Sequence, residues 1–173
     1  MSSPVNTASP RPWPPTGSTL LALEQKARRA GTGLTPADLR GRWQLQQVWP
    51  KAGQQPSGIS SQLLRALHAR LVISDGDGRL QLCNGVSLGL LNLQFLGQAD
   101  LVGRRPLLQF RFDQVRLSLA GRTLLQRTLP EPAARRLPFF ALIHRDPGGW
   151  LAARGRGGGL ALWRLEAGSD LRR

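Results

Sequence analysis

The chain has 173 residues, of which 40% are hydrophobic, and its 24 basic and 10 acidic residues give a formal net charge of +14. This length and apolar content are typical of one folded domain and exclude a broadly disordered chain. The single cysteine excludes an internal disulfide and a cysteine-cluster metal site. The positive charge predicts attraction to polyanions, either nucleic acid or an anionic lipid surface.

Neither a secretory signal nor a membrane-spanning helix is predicted. Residues 1–17 contain five prolines and lack the apolar core of a secretory signal, so we interpret them as a disordered tail. The 20 residues from Leu80 to Ala99 carry no charge and match a membrane span in length. They include six polar side chains and three glycines in partial alternation, which favours a hairpin of two strands.

Two short helices are predicted before the first strand. Ser18 or Thr19 can cap a helix from Leu20 to Ala30, and Gly31 ends it. Its apolar face predicts that it packs over one end of a barrel. Residues 35–38 read Thr-Pro-Ala-Asp, with the cap, the first-turn proline and the acidic residue of another helical turn.

The stretch from Leu39 to Leu45 marks the change from helix and loop chemistry to strand chemistry. Gly41 allows a close backbone approach. Trp43 has a large apolar side chain that we expect to be buried, and its indole N–H then needs a hydrogen-bond partner. If the last strand runs antiparallel beside the first, Arg164 lies near Trp43. We therefore predict a structural latch of Gly41, Trp43 and Arg164, with the Arg164 guanidinium within about 6 Å of the indole ring.

The remaining chain reads as short strands joined by turns. The predicted strands are Gln44–Val48, Leu71–Ser74, Arg79–Asn84, Leu91–Leu96, Arg104–Leu119, Leu124–Leu129, Phe139–Ile143, Trp150–Arg154 and Leu160–Leu165. A helix from Ser61 to Ala69 is inserted after the first of them. The apolar parity switches near Asp113 and Gln114, which predicts a bulge, a bend or a hidden turn. Seven to nine antiparallel strands without βαβ spacing favour an all-β barrel or sandwich.

No catalytic constellation is visible in the sequence. Two histidines, ten scattered acids and one cysteine provide neither a nucleophile–base pair nor a metal cluster by spacing, so we predict no enzymatic activity and no metal. Cys83 is interpreted as a small core hydrophobe, and His68 as a solvated or core-edge side chain. The glycine-rich residues 155–159 lack the lysine–serine pair of a phosphate loop and favour a hairpin turn.

A barrel of about eight strands can enclose one small hydrophobic ligand. Alternation nominates six inward-facing residues for such a site: Leu45, Leu82, Leu93, Phe95, Phe110 and Phe112. The alternative, which the sequence leaves open, is that these side chains simply fill the core.

Three segments of the chain share a pattern with a known family. Leu39–Leu45 resembles the leucine–glycine–tryptophan–leucine opening of the plastid lipid-associated proteins, or fibrillins, which have a lipocalin-like barrel. Leu107–Leu119 resembles their central strand. Asp146, the pair at 154–155 and the run at 159–162 resemble their closing pattern of aspartate, arginine–glycine, glycine and a final apolar strand.

The resemblance implies a lipocalin-like antiparallel β-barrel over residues 39–166, preceded by a helical lead-in at 18–38 and followed by a tail at 167–173. It implies non-enzymatic binding or organisation of lipids, carotenoids or prenylquinones at photosynthetic membranes. The charge independently suits an anionic thylakoid surface. We expect a monomer in the cytoplasm or plastid, attached peripherally to that membrane, with no cofactor other than such a ligand.

Two other functions stay open at this point. A bilin-handling lyase also uses a lipocalin-like barrel, although no motif for bilin transfer is visible. A basic nucleic-acid-binding module is suggested by charge alone. Stacking aromatic residues should then be interleaved with basic ones, and Phe110-Arg111-Phe112 is the one such instance, so we expect no specific nucleic-acid partner.

Overall fold

The computed structural model describes residues 13–51, 69–133 and 137–168. Its helices are α1 (Gly17–Ala30) and α2 (Pro36–Leu39). Its strands are β1 (Gly41–Trp49), β2 (Arg70–Asp75), β3 (Leu80–Leu88), β4 (Leu91–Val102), β5 (Leu107–Leu119), β6 (Arg122–Thr128), β7 (Phe139–Asp146), β8 (Trp150–Gly155) and β9 (Leu160–Leu165). All pairings between these strands are antiparallel, so the predicted all-β class is confirmed.

The strands pair in a ring. The order around the sheet is β4-β3-β2-β1-β9-β8-β7-β5, and β5 returns to pair with β4. β6 lies outside the ring, where it pairs with β5. β1 pairs with β9 along most of its length, which confirms the predicted pairing of the first and last strands. The sheet therefore has an inner face, turned toward the ring interior, and an outer face.

An extra residue bends β5 at the predicted position. Leu96 of β4 pairs with Gln114, whereas Gly97 pairs with Phe112, so Asp113 is left without a register partner on β4. A β-bulge of this kind reverses the parity of the side chains that follow it. The bulge therefore keeps apolar residues on the inner face along the whole strand, and it explains the parity switch in the sequence.

Apolar side chains form two clusters on opposite faces of the sheet. The inner cluster includes Trp43, Leu82, Leu108, Phe110, Leu142, Leu151 and Trp163. The outer cluster consists of Leu20, Trp49, Ile143, Trp150, Ala152, Leu160 and Leu162. Because Leu20 belongs to α1, this helix covers the outer face of β7, β8 and β9. The prediction that α1 packs over one end of a barrel was wrong, because outward-facing apolar residues of these strands form its docking surface.

α1 also begins earlier than predicted. The Thr16 hydroxyl accepts a hydrogen bond from the Thr19 amide at 3.2 Å, so Thr16 is the N-cap and the helix begins at Gly17. Thr16 supplies the same kind of capping oxygen as the predicted caps, two to three residues earlier. The end of the helix at Ala30, before Gly31, is confirmed.

Some predictions fall on residues outside the described ranges. The inserted helix from Ser61 to Ala69 does so apart from Ala69, and His68 lies within this part. Residues 1–12 of the predicted tail and residues 169–173 are also outside. Within the described ranges, no helix is both long and apolar enough to cross a bilayer.

Candidate site for a hydrophobic ligand

Five aromatic side chains form a continuous row on the inner face, which we call the aromatic row. Its ring centroids are 5.5 Å apart for Phe95 and Phe112, 5.3 Å for Phe112 and Phe110, 5.2 Å for Phe110 and Phe140, and 5.2 Å for Phe140 and Trp163. These separations suit tilted and edge-to-face aromatic contacts. Because the rings come from β4, β5, β7 and β9, the row joins strands that are distant in the sequence.

Burial varies along the aromatic row. Phe110 and Trp163 are only 8% and 5% exposed, whereas Phe140, Phe112 and Phe95 are half-buried. Beyond Phe95, the inner faces of β4 and β5 continue with half-buried Leu93 and Leu117, which are register partners. The aromatic row therefore connects the packed interior to an open apolar face formed by Leu93, Phe95 and Leu117.

A partly open cavity of about 170 Å³ lies beside Phe140 and Trp163, at the other end of the aromatic row from Phe95. It is lined by Leu45, Ala69, Arg70, Leu71, Asn84, Phe140, Ala161 and Trp163. Most of these residues are apolar, and only Asn84 and Arg70 carry polar side chains. Ligand pockets usually measure about 300–1,000 Å³. This cavity can therefore hold only part of a long hydrophobic molecule, and the rest would have to lie on the open apolar face.

The structure divides the six predicted inward residues into two groups. Four of them belong to the inner core or pack against it: Leu45, Leu82, Phe110 and Phe112. These side chains mainly fill space, although Leu45 also lines the cavity. Leu45 and Phe112 are half-buried, as are Leu93 and Phe95, but the latter two do not belong to the inner cluster and contribute to the open apolar face. The accessible part of the site is therefore at Leu93 and Phe95.

The sequence analysis did not identify three residues of the site: Asn84, Phe140 and Trp163. Phe139 and Phe140 are adjacent, and alternation alone does not show which of them faces inward. Asn84 has the same parity as Leu82 on β3, and this parity could have placed it inside. Trp163 shares its parity with Ala161 and faces the interior, although the sequence prediction gave it no role.

Trp43 is a fully buried member of the inner cluster. Its indole Nε1–H donates a hydrogen bond to the Leu39 carbonyl at 2.7 Å, which satisfies the polar end of the ring. Gly41 has a φ of +129°, a conformation that side chains rarely adopt. Gly41 and Trp43 therefore fix how the chain enters the sheet from α2.

The predicted partner of Trp43 was wrong, because Arg145 and not Arg164 covers its ring. The Arg145 guanidinium carbon lies 5.3 Å from the indole centroid. Arg164 pairs in register with Gln44, the neighbour of Trp43, and so points to the outer face. There it covers Trp13, with the guanidinium carbon 4.6 Å from the ring centroid.

A second bulge explains why Arg145 faces inward. Consecutive residues of β8 pair with Leu142 and His144, so Ile143 is an extra residue in β7. The bulge reverses parity and brings Arg145 to the inner face beside Trp43. Uninterrupted alternation from the inward-facing Leu142 would have placed Arg145 on the outer face.

A buried carboxylate attaches α1 to the sheet. Glu24 is 3% exposed and accepts hydrogen bonds from Arg28 at 2.8 Å, Arg105 at 3.1 Å, and Arg154 at 2.8 and 2.5 Å. Burial raises the pKa of Glu24, but hydrogen bonds and charges from Arg154 and Arg28 outweigh burial and lower this pKa to about 2. Glu24 is therefore ionised at neutral pH and serves as a structural anchor.

Cys83 is half-buried on the outer face of β3. Burial raises the pKa of its thiol, and the charges of Arg116 and Arg42 oppose this effect. A raised pKa disfavours the reactive thiolate form. Within residues 13–51, 69–133 and 137–168, no group of three or more histidine, cysteine, aspartate or glutamate side chains is arranged to hold a metal ion.

Comparison with known proteins does not assign the chain to a family. No family model matches it, and neither a curated protein nor a solved structure matches it significantly. The resemblance to fibrillins therefore rests on the sequence segments described above.

Proposed function

We propose that this protein binds a hydrophobic small molecule, of the lipid, carotenoid or prenylquinone class, without catalysing a reaction. The observation that carries the proposal is the aromatic row, which leads from an open apolar face to a partly open cavity beside Phe140 and Trp163. Binding sites for small hydrophobic molecules are concave and mostly apolar, with few polar groups. The cavity wall has this composition.

Hydrophobic burial is the main source of affinity in this proposal. A chain molecule lying along Leu93, Phe95 and Leu117 would remove these half-buried side chains from water. Each 100 Å² of apolar protein surface that is covered contributes about 2.5 kcal/mol before the cost of ordering the ligand. The aromatic rings also offer flat surfaces against which a conjugated or quinone ring can stack.

Asn84 favours a ligand with a polar end over a pure hydrocarbon. Its amide lines the cavity, whose other polar side chain, Arg70, is already paired with Glu166 at 2.8 Å. An amide N–H can donate a hydrogen bond to a quinone or ester carbonyl, whereas a carotene without oxygen offers no acceptor. We therefore place prenylquinones and lipids ahead of hydrocarbon carotenoids.

We further propose that the fold is a lipocalin-like barrel and that the protein attaches peripherally to a membrane. The ring of eight antiparallel strands supports a lipocalin-like barrel of the kind found in fibrillins. Lipocalin-like barrels often cover a tryptophan of the first strand with an arginine, and the Arg145 guanidinium over Trp43 therefore supports the same assignment. The net charge of +14 supports attachment to an anionic membrane surface such as the thylakoid.

Titration with a short-chain prenylquinone tests the proposal. We expect saturable quenching of tryptophan fluorescence, since Trp163 lines the cavity. Phe95→Ala should weaken binding about tenfold, because it removes an aromatic contact from the accessible part of the site. Leu23→Ala is the matched control, since Leu23 packs against the outer cluster, and it should leave the affinity unchanged. Equal affinities for wild type and Phe95→Ala, or no saturable quenching at all, would contradict the proposal.

A further inference from the structure

Two adjacent hairpins carry a continuous exposed strip of leucines, which we call the leucine edge. It consists of Leu88, Leu90, Leu91, Leu119, Leu124 and Leu125, which are 39–71% exposed. The β3–β4 and β5–β6 hairpins are joined at this edge. Leu91 pairs in register with Leu119, and the Ala120 amide donates a hydrogen bond to the Leu90 carbonyl at 2.9 Å.

The leucine edge is not a random scatter of apolar residues. In the described part of the chain, eight large hydrophobic residues are exposed, and six of them belong to this edge. The other two, Trp13 and Val102, lie elsewhere. Single exposed apolar residues are ordinary, whereas a contiguous exposed group usually marks an interaction surface.

Basic residues accompany the leucine edge, and acidic residues do not. Arg122 begins β6 directly after the turn, and Arg116 and Arg127 lie on the strands that lead to it. Residues 84–99 and 114–128, which form the two hairpin ends, contain no aspartate or glutamate. The edge is therefore both apolar and positively charged.

Three aspartates lie at the far end of the neighbouring strands, Asp75 and Asp77 at the β2–β3 turn and Asp100 near the end of β4. Asp113 lies within β5, at its bulge. Asp75 and Asp100 are paired with Arg40 and Arg79, at 2.8 and 3.6 Å. β4 has 12 residues, so its two ends are about 35–40 Å apart at the usual rise of a strand. The carboxylates of the far end therefore offset Arg40 and Arg79, whereas the leucine edge has arginines and no carboxylate.

We propose that the leucine edge docks the protein onto an anionic lipid bilayer. The leucines enter the boundary between headgroups and acyl chains, while Arg122 and Arg127, whose side chains are exposed, contact lipid phosphates. Apolar groups of peripheral proteins typically enter this boundary by about 5–10 Å, the length of two or three strand residues. Arginine stems can lie along the apolar surface while their charged ends remain at headgroup level.

A bilayer is a better occupant of this edge than a second copy of the chain. Two copies meeting edge to edge would bring Arg116, Arg122 and Arg127 of both molecules together, with no acidic residue at either hairpin end to pair with them. An anionic bilayer complements both the apolar and the basic character of the edge. The charge pattern therefore favours lipid over self-association.

The inference deepens the proposed function and depends on it for one consequence only. Leu93 and Phe95 directly follow Leu91 along β4, so the open apolar face adjoins the leucine edge. A hydrophobic ligand could then pass between the bilayer and the aromatic row without crossing water. Docking itself does not require that a ligand be bound.

Flotation with lipid vesicles tests the leucine edge. Wild type should bind phosphatidylcholine vesicles that contain phosphatidylglycerol, and bind pure phosphatidylcholine vesicles more weakly. The double variant Leu90→Ser and Leu124→Ser should lower the partition coefficient at least about tenfold. Both leucines are exposed in water, at 71% and 59%, so these changes remove no packed core. Val102→Ser is the matched control, because Val102 is 45% exposed at the opposite end of β4, and it should bind like wild type.

A second matched pair of variants tests the contribution of arginine charge to vesicle binding. Arg122→Gln should weaken binding to the anionic vesicles about fivefold, the effect of losing one arginine near a negative surface. Arg79→Gln, at the opposite ends of the same strands, should leave it unchanged. Two results would overturn docking by this edge. One is that the leucine double variant binds the anionic vesicles as well as wild type does. The other is that wild type binds anionic and pure phosphatidylcholine vesicles equally well. A dimer that this double variant abolishes, with no vesicle binding by wild type, also overturns it.

The prenylquinone titration without vesicles separates this inference from the proposed function. The leucine double variant should retain wild-type quinone affinity if the two sites act as described. Vesicle binding through the leucine edge without quinone binding would support docking and reject the proposed function. If the protein binds quinone, and the leucine double variant binds vesicles like wild type, the proposed function would be supported and docking by the leucine edge rejected.

Discussion

Gly97→Ala is expected to lower the free energy of unfolding by at least about 3 kcal/mol. A Cβ on Gly97 would lie 1.8 Å from the Arg111 carbonyl oxygen and 2.8 Å from the Phe112 Cα. Both atoms belong to the backbone of the paired strand β5, so they cannot move aside as the end of a flexible side chain can. The close approach occurs beside the bulge at Asp113, where the ring bends.

Gly85→Ala is the matched control for this prediction, because Gly85 also lies within a strand of the same sheet. A Cβ there would have its nearest neighbours, Gln94 Cγ and the Leu93 carbonyl oxygen, at 3.8 Å. The change should alter the free energy of unfolding by less than about 1 kcal/mol and can even be stabilising. Urea unfolding followed by far-ultraviolet circular dichroism measures both variants. Similar midpoints for the two would show that the strands do not approach each other so closely at Gly97.

Glu24→Gln is expected to destabilise the protein by about 3–5 kcal/mol at neutral pH. The substitution keeps the size of the side chain but removes the negative charge that Arg28, Arg105 and Arg154 share. The partly buried guanidinium of Arg154 then loses its carboxylate. Because Glu24 is on α1 and Arg154 on β8, we expect the loss to weaken the attachment of the helix to the sheet.

The pH dependence provides a second measurement for Glu24. Its pKa is about 2 in the folded protein and ordinarily 4.5, so the folded state favours the ionised form. The associated stability, about 3 kcal/mol, is fully present above the ordinary pKa and is lost as the pH falls from about 4.5 toward 2. Wild type should therefore lose more stability over this interval than Glu24→Gln. Parallel losses in the two proteins would contradict the low pKa.

Glu131→Gln serves as the control for charge removal in general. The Glu131 side chain is 81% exposed, and its carboxylate lies 3.7 Å from an Arg111 nitrogen. Exposed ion pairs with such geometry contribute little. Unfolding of Glu131→Gln should therefore match wild type across the same pH range.

The fold class was predictable because strand alternation is a local signal. Each predicted strand from Gln44–Val48 to Leu160–Leu165 overlaps an observed strand. The parity switch near Asp113 predicted an irregularity in β5, and the register shows a bulge there. The pairing of the first and last strands followed from closing an antiparallel sheet. Alternation could not give the boundaries, because β4 extends to Val102, well beyond the predicted end at Leu96.

The candidate site was less predictable because it depends on bulges and distant contacts. The bulge at Ile143 places Arg145 over Trp43, and no residue type in this segment signals an extra residue. Glu24 meets Arg154 across 130 residues, so neither residue revealed its partner in the sequence. The inward set from Leu45 to Phe112 was chosen by parity alone. Parity does not distinguish residues that fill the core from residues on an open face.

Photolabelling tests the central claim, the site for a hydrophobic ligand, most directly. A diazirine-bearing prenylquinone would be irradiated with the full-length protein, and the labelled residues identified by peptide mass spectrometry. The proposed site predicts labels on inner-face residues of β4 and β5, chiefly Leu93, Phe95 and Leu117, that excess unlabelled quinone suppresses. Labels confined to the outer face, or labelling that excess quinone does not suppress, would contradict the proposed site.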